Sequence, residues 1–168
     1  MITIEKASVA DASEILAINK RSFLMYRDAL PDKNIPVAAL GETEEEARGD
    51  IETNHVYVAR IQKKIIGSIR FALLSSELAY IYKFGVDPDV NNNGVGTDLI
   101  GRAISDCAEL RIKAIALHTN SKYYRLARYY YGKGFYVHST DASKGYIRAL
   151  FVKELSDQAY DLSPAFKH

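Results

Sequence analysis

The sequence predicts an α+β fold, a mixed central β-sheet with helices on both faces, in the order β-α-α-β-β-β-α-β-α-β-β. Three observations predict it. Apolar runs of strand length recur between stretches whose apolar residues have helical spacing. Two of these runs, His55–Ile61 and residues 65–74, are separated only by Gln62-Lys63-Lys64 and read as a hairpin. A third run, Leu78–Val86, passes through a polar turn directly into an amphipathic helix. No internal repeat or low-complexity segment breaks the 168 residues, so a single domain spanning 1–168 is expected.

Taken in order, residues 2–7 alternate as a first strand. Asp11 reads as an N-cap with Glu14 three residues on, opening a helix over about 11–27 whose apolar face carries Ile15, Ile18, Phe23 and Tyr26. Pro31 and Pro36 make residues 30–41 a loop, and Thr43-Glu44-Glu45-Glu46 starts an acidic helix ending near Thr53. The hairpin follows, with Gly67 read as a bulge. Pro88 cannot donate to a sheet ladder, so the strand at 78–86 stops before it. Beyond the turn, Val95, Leu99, Ile100, Ala103, Ile104 and Cys107 share one helical face. Residues 113–119 form a strand, 121–131 a helix stopped by Gly132-Lys133-Gly134, and 135–139 and 146–153 the last strands. The tail from Ser156 is expected to be loosely held.

Composition narrows the function. A formal charge of +1 gives no field for nonspecific nucleic-acid binding, so nucleic acid is not an expected partner. No apolar run is long enough to span a membrane, and the N-terminus has no basic segment followed by an apolar one; the cytoplasm is the expected location. A single cysteine, Cys107, rules out an internal disulfide and any cysteine-rich metal site, and no metal is expected.

The most informative stretch is Val86-Asp87-Pro88-Asp89-Val90-Asn91-Asn92-Asn93-Gly94-Val95-Gly96-Thr97. The amides that open the following helix have no partner within it. With the positive end of the helix dipole, they form an anion site that the glycines at 94 and 96 leave open to a bulky group. A pyrophosphate suits such a curved row of donors. The stretch resembles motif A of the GNAT superfamily of acetyl-CoA-dependent N-acetyltransferases, V-x-P, two residues, then [QR]-x-x-G-x-[GA], with matching spacing throughout. Asn91 replaces the family's Gln or Arg, and Asn92 stands where glycine is common. Tyr130-Tyr131-Gly132-Lys133-Gly134-Phe135 is similar to the family's motif B, Y-x-x-x-G-F. The element order is also that of the GNAT fold.

The resemblance implies acetyl transfer from acetyl-CoA, the donor substrate, to a primary amine of a small molecule or a protein N-terminus. It implies a diphosphate held by amides from Asn92 to Thr97, with Asn91, Asn93, Gly94, Val95 and Gly96 in the same loop. It implies a pantetheine arm paired with Phe84, Gly85 and Val86, the Val86 amide acting as oxyanion donor and Gly85 starting the bulge that splays the strand. Tyr130 is the implied partner of the coenzyme sulfur, with Tyr129 and Tyr131 as immediate neighbours. The family's pantetheine-binding asparagine falls at Tyr123, and Asn120 lies near it.

An alkyl ammonium cannot attack. Neutralising one of pKa about 10.4 at pH 7 costs on the order of 4–5 kcal/mol, so a base must take the proton. His118 stands where some relatives carry a glutamate base, Glu77 is a second candidate, and the strand position at which others carry glutamate is Tyr80. A homodimer through the last strands is a further implication of the family. The altered Asn91 and Asn92 keep a second reading open, a non-catalytic acyl-CoA sensor or interaction module of the same fold.

Overall fold

The computed structural model describes residues 1–90 and 94–168. The elements are β1 (Ile2–Lys6), α1 (Ala12–Asp28), α2 (Glu44–Thr53), β2 (His55–Ile61), β3 (Lys64–Leu73) and β4 (Leu78–Val86). Then come α3 (Val95–Glu109), β5 (Ala114–Asn120), α4 (Tyr124–Gly132), β6 (Tyr136–Asp141), β7 (Arg148–Glu154) and a short 3-10 helix, Ser163–Lys167. The predicted order and mixed α+β class are both found. The seven strands form one sheet in the order β1-β2-β3-β4-β5-β7-β6, antiparallel except for the β4–β5 pair.

Strand alternation divides the core between two faces. Ile115 and Leu117 of β5 join Ile69, Ile81, Leu99 and Phe151 beneath α3 and α4. Ala114 and Ala116 face the other way, against Leu78, Tyr80, Leu150 and Val152. On that second face, Ile15 and Ile18 of α1 also cover Val56, Val58 and Ile65.

Four expectations are corrected. The tail is not loosely held: Leu162 and Ala165 are buried against the β4–β5–β7 face, and Arg148 donates to the His168 main-chain oxygen at 2.8 Å. Two small apolar side chains spaced along a single helical turn are too weak a pattern to announce this docking. The Asp11–Glu14 capping box is also absent. Asp11 instead accepts from the Ser8 amide and pairs with Arg60, while Glu14 accepts from the Ile65 amide at 2.7 Å. Both carboxylates serve tertiary contacts that local spacing does not reveal.

The β4 bulge is at Lys83 rather than Gly85: the β3–β4 register shifts between Ser68 and Arg70, and Lys83 has φ 46°. Gly85 serves a different need, since a Cβ there would lie 2.9 Å from the Ser22 hydroxyl and 3.2 Å from the Asn19 side-chain oxygen. It lets α1 press onto β4. Finally, α4 starts at Tyr124, because Asn120 accepts from the Lys122 amide at 3.0 Å and holds the preceding residues in a turn. The bulge expected at Gly67 is found beside it, where the β2–β3 register shift leaves Ile66 without a counterpart.

Candidate active site

The site begins where the sheet opens. β4 and β5 pair only over Leu78–Tyr80 and Ala114–Ala116. Beyond that, β5 stays with β7 as far as Asn120, while β4 stays with β3 as far as Val86. Among the described residues, one edge of β4 from Ile81 onward therefore has no strand beside it. The Asp87 amide donates to Ile66 of β3 at 2.8 Å, so by strand alternation the Val86 amide faces the opposite way, into the gap. Phe84, Gly85 and Val86 thus line the gap, as expected of strand residues that would pair with an extended ligand.

Two ion-pair groups hold the opened strand. Lys83 donates to Glu42 at 3.0 Å, and Glu42 is clamped by the buried Arg70 at 2.5 and 3.0 Å. Burial alone would raise the Glu42 carboxyl, but the hydrogen bonds from Arg70 and Lys83 outweigh it and hold it below its ordinary range. At the far end of β4, Asp87 accepts from the Asp89 amide at 3.0 Å and pairs with Arg21 at 3.0 Å. This Asx turn shapes the exit from the strand.

At the mouth of the gap stands the N-terminus of α3. Gly94 has φ 73°, in the left-handed region that glycine alone adopts freely, and its carbonyl accepts from Asp98 at 2.9 Å. The amides of Val95, Gly96 and Thr97 precede that first bond and have no acceptor in the helix. Lys133, at the end of α4, donates to the Thr97 hydroxyl at 3.0 Å and lies 5.3 Å from the Tyr129 ring centre. Sequence reasoning assigned Lys133 only to a helix stop; its place inside motif B was the signal that could have found it. A Cβ at Gly94 would have no heavy atom of the described residues within 4 Å, which leaves the approach open on their side. Free amides, a helix dipole, a lysine and an open glycine fit a diphosphate well. Asn91, Asn92 and Asn93 lie outside the described residues.

The three consecutive tyrosines part company. Tyr131 is exposed. Tyr130 is buried, packed on Phe135, Phe151 and Tyr129, and burial raises its hydroxyl above the ordinary phenol range. Tyr129 turns toward motif A: its hydroxyl is buried, has no hydrogen-bond partner among the described residues, and lies 3.3 Å from where a Gly96 Cβ would be.

On the other face, at the point where β4 and β5 part, the Tyr80 hydroxyl lies 2.7 Å from His118 Nδ1. Burial, then the Arg148 charge, pushes the imidazole down to about 4, and burial pushes the phenol up to about 12. With the imidazole neutral and the phenol protonated, the pair shares one hydrogen bond between the hydroxyl and Nδ1. Nε2 is 3.8 Å from Asp141, and His168 stacks on Tyr80 with ring centres 4.8 Å apart. Sequence reasoning weighed Tyr80 and His118 separately; only the parallel β4–β5 register brings them together.

Asn120 is buried and fully engaged, donating to the Ala29 carbonyl at 3.2 Å and accepting from Lys122. Tyr123 stacks on Tyr26, which shares a 2.9 Å hydrogen bond with Tyr146. Beside these residues a cleft of about 490 Å³ opens between the end of α1 and the β6–β7 loop. Glu77 sits at the opposite end of β4 from Val86, paired with Lys113 at 2.6 Å, and takes no part in this site.

The family model described as "Acetyltransferase (GNAT) family" matches residues 23–135. No curated protein matches the chain by sequence. Among solved structures, PaiA N-acetyltransferase from Thermoplasma acidophilum, in complex with coenzyme A, is 18% identical with a TM-score of 0.81, covering 92% of this chain and 99% of its own. The ribosomal-protein-S18-alanine N-acetyltransferase from Escherichia coli is 15% identical at a TM-score of 0.74, covering 96% and 99%. YncA from Salmonella typhimurium, with its cofactor acetyl-CoA, is 16% identical at 0.73, covering 96% and 98%. At these identities the solved structures establish the fold, and the family match over two thirds of the sequence does the rest: the chain belongs to the acetyltransferase (GNAT) family.

Proposed function

We propose that the protein transfers an acetyl group from acetyl-CoA to a primary amine. One observation carries this reading: the unpaired edge of β4 runs directly toward the open, glycine-flanked N-terminus of α3. The coenzyme supplies an activated acetyl thioester. The amides of Val95, Gly96 and Thr97, with Lys133, are placed to hold its diphosphate, and the free edge of Phe84–Val86 to pair with an extended arm. The Val86 amide faces the same gap and serves as a donor to the carbonyl oxygen as charge grows on it. Tyr130 is the candidate donor to the leaving sulfur. Its raised hydroxyl makes full proton transfer to a thiolate less favourable, so a hydrogen bond is the role it suits.

A second reading, an acyl-CoA-binding module without turnover, is favoured by the sealed Tyr80–His118 pair beneath His168. Thiol release from acetyl-CoA over a broad amine panel separates the two. The transferase reading predicts release that requires an amine and falls about 10- to 100-fold in Tyr130→Phe, the loss expected of one charge-assisted hydrogen bond. Binding of acetyl-CoA with no release on any amine would leave the second reading standing.

A further inference from the structure

We infer that Glu42, acting through Lys83, is a positioning residue for the reaction: it holds β4 in the left-handed kink that turns the Phe84 and Val86 amides into the gap. This rests on the transferase reading, in which those amides meet the coenzyme arm and the thioester oxygen.

The kink shows in the side chains. Leu78, Tyr80 and Tyr82 all face the layer that holds Leu150 and Val152. An unbroken strand keeps every second residue on one face, so Phe84 and Val86 would follow them. Instead both pack in the opposite layer, with Leu99 of α3, and a Cβ at Gly85 would point at Ser22 and Asn19 of α1. The switch falls at Lys83. Between the Arg70–Tyr82 and Ser68–Gly85 partners, β4 has one residue more than β3. Amide direction alternates together with side-chain face, so the extra residue reverses it too. Without the switch the Val86 amide would point at β3, as the Asp87 amide does, and the gap would lose its donor.

Lys83 carries the cost. Its φ of 46° is a conformation that a residue with a Cβ adopts at about 1–2 kcal/mol, a factor of roughly 5–30 in population. Its own side chain offsets this. The ammonium donates to Glu42 at 3.0 Å. Glu42 is only 3% exposed and has little freedom to shift, because the buried Arg70 grips both its oxygens at 2.5 and 3.0 Å. Arg70 is anchored in turn on Asp50 of α2 at 2.8 Å. Charge-assisted hydrogen bonds to a buried, fixed carboxylate are strong enough to outweigh the backbone cost.

A coenzyme that needs the kink binds more weakly in proportion as the kinked fraction falls. The test is isothermal titration calorimetry with acetyl-CoA on wild type, Lys83→Met, Lys83→Gly, Glu42→Gln and the double variant Glu42→Gln/Lys83→Gly, at a temperature where each is folded. Lys83→Met keeps the Cβ and removes the ammonium, and should weaken binding about 5- to 30-fold. Lys83→Gly also removes the ammonium but takes the left-handed conformation freely, and should weaken it by no more than about threefold. Glu42→Gln should resemble Lys83→Met. Adding Lys83→Gly to it should recover most of the lost affinity without recovering the melting temperature, since a glycine restores no ion pair. A purely structural role for Glu42 predicts no such rescue. Equal weakening in Lys83→Met and Lys83→Gly would make the ammonium itself the coenzyme contact, and overturns the inference. So does unchanged binding in both. If Glu42→Gln does not fold, the two Lys83 variants decide alone, because Arg70, Glu42 and Asp50 keep one another in each. Absence of binding to wild type removes the coenzyme reading and the inference with it, a result told apart from the others because it involves no variant.

Discussion

His118 shows how far one residue's environment departs from its type. Histidine suggests a base poised near neutrality, yet here a buried ring beside Arg148 is driven to about 4. The stability consequence has a definite sign. Between the ordinary value of 6.5 and about 4, the unfolded chain binds a proton that the folded chain refuses. The contribution is therefore full above pH 6.5 and is lost as pH falls through about 4. Chemical denaturation at pH 7 and pH 5 should show wild type losing about 2 kcal/mol more than His118→Gln over that interval. Equal losses would mean that the ring titrates normally. The residue type was legible in the sequence, but its neighbours Tyr80, Arg148, Asp141 and His168 come from four other segments and could not be read from spacing. Gly85 teaches the same lesson, since its small size answers to Ser22 and Asn19 on a helix more than sixty residues away in sequence.

At the scale of elements, periodicity served well wherever an element buries a continuous face. The β4 bounds follow from Pro88 and a run that is apolar save for Lys83, and α3 from its stripe of Val95, Leu99, Ile100, Ala103 and Cys107. The C-terminal segment lacks any such run, yet Leu162 and Ala165 dock on Leu78, Ala114, Ala116, Leu150 and Val152, and His168 covers Tyr80. Ala165→Glu places a carboxylate in that apolar seat. It should lower stability by about 2–4 kcal/mol, and the His118 midpoint, followed by NMR, should move up toward 6.5 as the cover loosens. An unchanged melting temperature together with an unchanged midpoint would show that the segment does not seal the pair.

Over the whole molecule, function follows from a sheet that is continuous at one end and divided at the other. The β3–β4 and β5–β7 pairings stay intact on either side of the gap, and so can hold its walls apart. The bulge at Lys83, tied through Glu42 to the buried Arg70, fixes one wall. Motif spacing made the α3 end of this arrangement legible, because free amides at a helix start are a local property. The Tyr80–His118 end was not legible, because that contact joins side chains from two strands 38 positions apart in the sequence.

Isothermal titration calorimetry with acetyl-CoA on wild type and Gly96→Leu tests the central claim, that the backbone donors opening α3 hold the coenzyme. The account predicts saturable binding to wild type. It also predicts an affinity at least about tenfold weaker for Gly96→Leu, measured at a temperature where both proteins are folded, since the added side chain, crowded by Tyr129, Phe84 and Val86, blocks the approach to one or two charge-assisted hydrogen bonds. Absence of heat at millimolar coenzyme, or equal affinity in the two proteins, would contradict it.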